Sequence, residues 1–227
     1  MYKLISIVML MLMTSLSYAN DIYVTQSGAT LDLDITQDGQ NNTVGNSSTA
    51  STSTGATTTL NIDQIGKSNV ITYQINGASY TGTINLVGNS NNVDLNCDST
   101  GNNSSCGTAN AVINFTGNSN DIDLDIGQTS SANTADVDIV GQSGSDSNVV
   151  AATIDGNSAI LTITVNGDTN NYLIDIDGNG DINGHTLIHS QTGVNADVYI
   201  TQSGVNDQMI TLTTSGDNHD IDIQQTD

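Results

Sequence analysis

The chain has 227 residues and a formal net charge of −22, because 24 acidic side chains face only two basic ones. Phosphate backbones and anionic membrane surfaces are bound through Lys and Arg, so this balance excludes nucleic acid as a partner. High charge with few aromatic residues is typical of disordered chains. Here the regular spacing of Ile, Val and Leu predicts a folded chain instead.

Residues 1–19 have the layout of a secretory signal peptide. Lys3 precedes an apolar run from Leu4 to Met13, and the segment ends in Ser17-Tyr18-Ala19. The run is shorter than the roughly 20 apolar residues that a membrane-spanning helix needs. We therefore expect a protein that is secreted to the extracellular space or cell surface without membrane insertion, with a mature domain of residues 20–227.

From residue 20 onward an eleven-residue unit of the form N-x-h-x-h-x-Q-x-G recurs, where h is apolar. Its first copy holds Asn20, Ile22, Val24, Gln26 and Gly28. The alternation predicts a strand with one buried face, and the glycine predicts a turn after it. Two units form a coil of about 22 residues, and stacked coils form an all-β fold, a β-solenoid.

The repeat places the Asn and Gln side chains inside the rod and the Asp side chains outside. Stacked inward amides can hydrogen-bond to one another as ladders, whereas central units carry apolar residues such as Ile75, Phe115 and Ile176 in the Gln position. We expect the middle of the rod to be an ordinary hydrophobic core. The residues predicted to form the ladders and turns are Asn20, Gln26, Gly28, Gln37, Gly39, Asn42, Gln64, Gly66, Asn69, Gln191, Gly193, Gln202, Gly204 and Gln225.

Two interruptions of the repeat, near residues 46–59 and 96–108, are predicted to be loops that bulge from the rod, or loops that each contain a degraded unit. The second interruption holds Cys97 and Cys106. Two cysteines in an exported chain favour a disulfide that closes the loop. Two free thiols are the alternative.

Several units resemble the curlin repeat of bacterial curli fibre subunits, whose pattern is S-x5-Q-x-G-x2-N-x5-Q. The matching stretches are Gln37-x-Gly39-x-x-Asn42, Gln64-x-Gly66-x-x-Asn69 and Gln202-x-Gly204. The resemblance implies a subunit that joins copies of itself end to end in extracellular amyloid-like fibres. It also implies accessory proteins for secretion and nucleation, and a role in matrix formation, adhesion or surface colonisation.

One stretch is similar to the first half of an EF-hand calcium loop, in which oxygen ligands occupy alternate positions. Its residues are Asp175, Asp177, Asn179 and Asp181, but position twelve is Thr186 in place of Glu, and the flanking segments are predicted strands. We interpret this stretch as outward Asp side chains beside a glycine turn and keep calcium as the alternative. No other cofactor is expected.

The three histidines, His185, His189 and His219, occupy repeat positions that face the core. They are interpreted as core residues bonded to neighbouring amides, with a metal site as the alternative. A filled solenoid offers no pocket in which a nucleophile and a base converge. We therefore expect a structural protein and not an enzyme.

The leading hypothesis is a structural subunit of a curli-type fibre. The competing hypothesis is a monomeric rod displayed on a cell or virion surface as an adhesin for carbohydrate, mineral or ice. In one variant of this hypothesis calcium stabilises the rod. The ice variant is based on Thr162-x-Thr164 and Thr211-x-Thr213.

Overall fold

The structure, a computed structural model, describes residues 19–39, 41–45, 50–66, 68–88, 91–97, 106–127, 134–156, 158–177, 184–204 and 208–226. The predicted signal segment thus lies almost wholly outside the described residues. The described part of the chain contains no helix that could cross a membrane. Its elements are β1 (Ala19–Asp21), β2 (Thr25–Ser27), β3 (Thr30–Asp38), β4 (Asn41–Thr43), β5 (Ser51–Ile65), β6 (Val70–Val87), β7 (Asn92–Cys97), β8 (Thr108–Thr116), β9 (Asp121–Gly127), β10 (Thr134–Gly141), β11 (Val149–Asp155), β12 (Ser158–Asn166), β13 (Asn171–Asp177), β14 (Thr186–Thr192), β15 (Asp197–Ser203), β16 (Met209–Ser215) and β17 (Asp220–Thr226).

The strands pair in parallel and in register, and they form two stacked ladders, as the predicted β-solenoid requires. Ladder 1 contains β1, β2, β4, the first parts of β5 and β6, and then β7, β9, β11, β13, β15 and β17. Ladder 2 contains β3, the second parts of β5 and β6, and then β8, β10, β12, β14 and β16. Each coil contributes one strand to each ladder.

Most coils are longer than the predicted 22 residues. Equivalent positions of successive coils lie 22 residues apart between Asn148 and Asn170, but 29 apart between Asn91 and Asn120. The extra residues fall between the strands, so the register within each ladder is preserved. A parallel sheet tolerates this because turn length does not change which strand faces align.

The core consists of the inward side chains of both ladders. Alternate residues are buried along almost every strand, as in β8, where Ala109, Ala111, Ile113 and Phe115 are buried. The apolar residues predicted to replace Gln in the central units are all buried. None of the Asp side chains predicted to face outward is buried, so the alternation predicted from the sequence is confirmed.

The prediction of a loop over residues 46–59 is wrong for residues 51–59. Ser51–Ile65 form one long strand, whose first part pairs with residues 73–77 of β6. The alternative prediction, a degraded repeat unit, holds here: Ser51 and Ser53 occupy its buried positions, and Thr58 occupies the first buried position of the next unit. Small hydroxyl side chains can fill inward positions when they bond to each other, as Ser53 and Thr58 do at 3.2 Å.

The turns between ladder 2 and ladder 1 stack on one another as regularly as the strands. Ser119, Ser147, Thr169 and Asn195 each adopt a positive φ between 56° and 58°. The amide of Ser147 donates to the carbonyl of Asp168 at 2.8 Å, and the amide of Thr169 donates to Val194 at 2.8 Å. These hydrogen bonds extend the ladder around the corner of the coil.

Glycine recurs at the position that begins these turns, although Ser145 takes its place in one coil, and the coils approach closely at several of these glycines. A Cβ atom on Gly88 would overlap the carbonyl oxygen of Gly66, and one on Gly66 would overlap that of Gly39. Gly193 and Gly216 form the same contact near the other end. Gly28 differs, since its nearest neighbour would be Gln26 Nε2 at 3.9 Å.

We expect Gly88→Ala to lower the free energy of unfolding by about 2 kcal/mol or more, because the added methyl group must push two coils apart. Gly28→Ala is the matched control, and it should change stability by less than about 0.5 kcal/mol. Urea unfolding followed by circular dichroism measures both variants. Equal stability of the two variants would contradict the close approach of the coils.

Candidate assembly surfaces

A column of asparagine side chains runs through the interior of ladder 1. Asn91, Asn120, Asn148 and Asn170 are buried, and each of the first three donates from Nδ2 to Oδ1 of the next at 2.6 to 2.8 Å. Each Nδ2 also donates to a backbone carbonyl three residues earlier, as Asn170 does to Gly167 at 2.7 Å. Each amide thus bonds to its own turn and to the next coil.

The sequence analysis named Asn42 and Asn69 but missed the four asparagines of this column. Three of them follow the turn by the same spacing, G-x-x-N, as in Gly88 to Asn91 and Gly167 to Asn170, and before Asn148 a serine, Ser145, takes the place of the glycine. That spacing was the available signal, but it was read only where a Gln precedes the glycine. Asn42 and Asn69 are buried, and their Nδ2 atoms donate to the carbonyls of Gln37 and Gln64.

The predicted glutamines fall into two groups. Gln37, Gln64, Gln191 and Gln202 are buried, whereas Gln26 and Gln225 are exposed because they belong to terminal rungs. Gln64 Nε2 donates to Gln37 Oε1 at 2.6 Å, which is the expected ladder contact. Asn20 is partly buried, and its Nδ2 donates to the carbonyl of Asp38 at 3.3 Å.

Near the C-terminal end the two buried glutamines differ in their hydrogen bonding. Gln191 donates from Nε2 to the carbonyl of Gly167 at 2.6 Å, and its Oε1 accepts from the hydroxyl of Tyr172. Neither amide atom of Gln202 has a hydrogen-bond partner among the described residues, although the side chain is buried. The expected amide ladder is therefore incomplete at this end of the described rod.

His185 and His189 are buried, as predicted, and His219 is partly buried near the end of the described rod, but only His185 bonds to an amide. His185 Nδ1 accepts from the backbone amide of Ala159 at 3.2 Å. His189 packs edge-on against Tyr172 with ring centroids 4.3 Å apart, and neither of its nitrogens has a partner in the described structure. Burial lowers the pKa of His189 to about 4 and also lowers the pKa of His185.

The calcium candidate is only partly described. Asp175 is exposed on β13 and Asp177 ends that strand, whereas Asn179 and Asp181 lie outside the described residues. Partial burial raises the pKa of Asp175, and the charge of Asp177 adds to the increase. Asp177 Oδ1 accepts a hydrogen bond from Ser203 at 2.5 Å. Among the described residues, no cluster of three His, Cys or Asp side chains is arranged to hold a metal.

Carboxylates stack most densely on ladder 1 around β7 and β9. Partial burial raises the pKa of Asp94 and of Asp123, and the charge of Asp125 raises both further. Asp94 and Asp123 are direct register partners on these strands. Like charges at this spacing repel, which is the electrostatic cost of an in-register parallel stack.

Cys97 and Cys106 form a disulfide, with Cα atoms 5.8 Å apart, and both are fully buried. They connect the end of β7 with the residues before β8, and they enclose part of the second interruption. Residues 98–105 lie outside the described ranges.

The two ends of the described rod expose inward-facing apolar side chains. At one end Ile22, Val24 and Leu33 are only partly buried. At the other, Ile221 and Ile223 are each 41% exposed, and β17 pairs only with β15 among the described strands. The other partly buried apolar side chains at the two ends are Leu31, Ile210 and Leu212.

No protein-family model, curated protein or solved structure matches this chain.

Asn170→Ala should lower the free energy of unfolding by about 1–3 kcal/mol, because it removes the acceptor of Asn148 and the donor to Gly167. Asn171→Ala is the matched control, since Asn171 is the next residue but is exposed. Its effect should stay below about 0.5 kcal/mol. Urea unfolding of both variants measures the difference, and equal losses would argue against the asparagine column.

His189 predicts a pH dependence of stability. Its pKa falls from 6.5 to about 4 on folding, so the unfolded chain binds the proton first, and stability contributed by the neutral ring is lost as the pH falls from about 6.5 to about 4. His189→Leu removes this dependence, whereas changes due to the carboxylates remain in both chains.

The stability advantage of wild type over His189→Leu should therefore shrink by up to about 3 kcal/mol between pH 7 and pH 4. Urea unfolding of both chains at several pH values measures it. A constant difference across this range would show that His189 does not stay neutral in the fold.

Proposed function

We propose that this protein is a secreted structural subunit that assembles end to end into extracellular curli-type fibres. The observation that carries the proposal is the match between the two ends of the rod. Asn20, Ile22, Val24 and Gln26 at one end have the same spacing as His219, Ile221, Ile223 and Gln225 at the other. Each set faces the interior, so the first coil of one copy can continue the ladder of the copy before it.

The energetics favour such a junction. Burying a large aliphatic side chain completely contributes about 1.5–3 kcal/mol, so completing the burial of the half-exposed residues at both ends contributes several kcal/mol. The aligned pattern creates one direct like-charge pair, between Asp220 and Asp21. Two charges about 5 Å apart repel by only about 0.8 kcal/mol in water. The open strand edges also gain hydrogen-bond partners.

The resemblance to curlin repeats supports the rest of the proposal. It favours export by a curli-type route, accessory proteins for secretion and nucleation, and a role in matrix formation or adhesion. One of the Q-x-G-x-x-N stretches that carry the resemblance lies in a closely stacked coil, where Gln64 and Asn69 are buried and Gly66 is at a close coil contact.

A charge at the growing end should stop assembly. Ile223→Asp places a carboxylate in the junction but leaves the rest of the rod unchanged, so we expect folded monomers. Leu173→Asp is the matched control, because Leu173 is 60% exposed on the side of the rod, and it should still form fibres. Purified residues 20–227 are incubated in about 0.15 M salt, at which the Debye length is ~8 Å.

Thioflavin T fluorescence and electron microscopy then detect fibres, and circular dichroism confirms that each variant is folded. Unbranched dye-binding fibres of the wild type and of Leu173→Asp, but not of Ile223→Asp, are the expected result. Wild-type chains that stay β-rich monomers under these conditions would reject the fibre function.

One observation favours a displayed binding rod as the second candidate. Leu173 and Tyr199 are register partners on β13 and β15, and they are 60% and 45% exposed. An exposed aliphatic and aromatic pair beside carboxylates can bind a sugar face by stacking and hydrogen bonds. In that case the chain remains monomeric, and Leu173→Asp weakens its binding to carbohydrate arrays.

A further inference from the structure

The two sides of the rod differ strongly in charge. Ladder 1 presents outward aspartates along most of its length, including Asp94, Asp121, Asp123, Asp197 and Asp220. On ladder 2, the strands β12, β14 and β16 present none. We call the outward side chains of these three strands the neutral patch: Ser158, Ile160, Thr162, Thr164, Asn166, Thr186, Ile188, Ser190, Thr192, Met209, Thr211, Thr213 and Ser215.

The neutral patch carries exposed apolar side chains. Ile160, Ile188 and Met209 are 42%, 39% and 49% exposed. The next strand, β10, carries the nearest carboxylates of ladder 2, Asp136 and Asp138. On a chain with a net charge of −22, a surface without carboxylates is where a second copy can approach with the least repulsion.

We propose that the neutral patch binds the neutral patch of a second copy, face to face and with the two rods antiparallel. The two-fold axis runs parallel to the strands, between β12 and β14. Such an axis places β10 of one copy opposite β16 of the other. Register partners along ladder 2 then put Asp136 opposite Met209 and Asp138 opposite Thr211, so no carboxylate faces another.

The parallel arrangement is disfavoured by the same residues. An axis along the rod would place β10 opposite a reversed β10, so that the carboxylates of Asp136 and Asp138 in one copy would meet those of the other copy across the interface. Like charges directly opposite each other destabilise a sheet interface. The antiparallel arrangement also packs Ile160 against Thr186 and Ile188 against Thr162, since these are register partners.

The size of the patch predicts when the pairing occurs. The paired face consists of the patch strands β12, β14 and β16 together with β10. Four strands at about 4.8 Å spacing, each about 20 Å long, give a face of roughly 400 Å². Stable interfaces bury about 800 Å² per partner, so two isolated rods pair weakly. A filament repeats the patch once per subunit and gains strength through multivalency. The inference therefore rests on the proposed fibre function, and it predicts that fibres are paired filaments.

The test adds two carboxylates to the neutral patch, in Thr164→Asp/Thr213→Asp. The control adds two carboxylates to the side of ladder 1, in Leu173→Asp/Thr201→Asp. All four positions are exposed or face outward on their strands. Electron microscopy measures filament width for wild type and both variants, and thermal unfolding confirms that each variant is folded. We expect paired filaments for wild type and control, and single filaments for the patch variant.

The outcomes separate the inference from the fibre function. Wild-type filaments of single width would overturn the lateral pairing but leave the fibre function intact, as would paired filaments of the patch variant. If no filaments form, sedimentation equilibrium at increasing protein concentration decides: a weak wild-type dimer lost only in the patch variant supports the pairing. Monomers at every concentration, including rods that bind a neutral polysaccharide through the patch, overturn it.

Discussion

Stacking in register is the constraint on which the rest of this structure depends. Each strand lies on the equivalent strand of the previous coil, so each side chain meets a side chain of the same repeat position about 4.8 Å away. Inside the rod this geometry turns single asparagines into a bonded column, as from Asn91 to Asn170. Outside, the same geometry brings Asp94 and Asp123 together. A favourable interior ladder and an unfavourable exterior column have one origin.

On the outside of the rod, neighbouring amide side chains reduce the repulsion between stacked carboxylates at some positions. On ladder 2, Asn85 donates to Asp63 and Asn61 donates to Asp34, at 2.6 and 2.8 Å. An amide beside a carboxylate replaces repulsion with a hydrogen bond. On ladder 1 Asn96 donates to Asp125 at 3.3 Å, but Asp94 lies directly beside Asp123, and the pKa of both Asp94 and Asp123 rises. The rod therefore has one side that repels its copies and one side that can accept them.

A stacked rod has no intrinsic reason to stop growing, because each coil presents the same edge to the next one. At the end of the described rod Ile221 and Ile223 are half exposed, so part of their apolar surface stays in contact with water. End-to-end assembly and lateral pairing answer different parts of this problem. The proposed end-to-end assembly would bury the apolar ends, and the proposed lateral pairing would use β12, β14 and β16, which carry no carboxylates.

The sequence alone determined the strand period, the inward and outward faces, and the two-strand coil, because alternation and recurrent glycines are local properties. It could not assign residues 51–59 to a strand, since Ser and Thr are equally typical of loops and fill inward positions only when a neighbouring coil supplies partners. The asparagine column and the division of charge between the two ladders were also decided by the tertiary structure. Both depend on which coils lie next to each other, and variable turn lengths hide that register from the linear pattern.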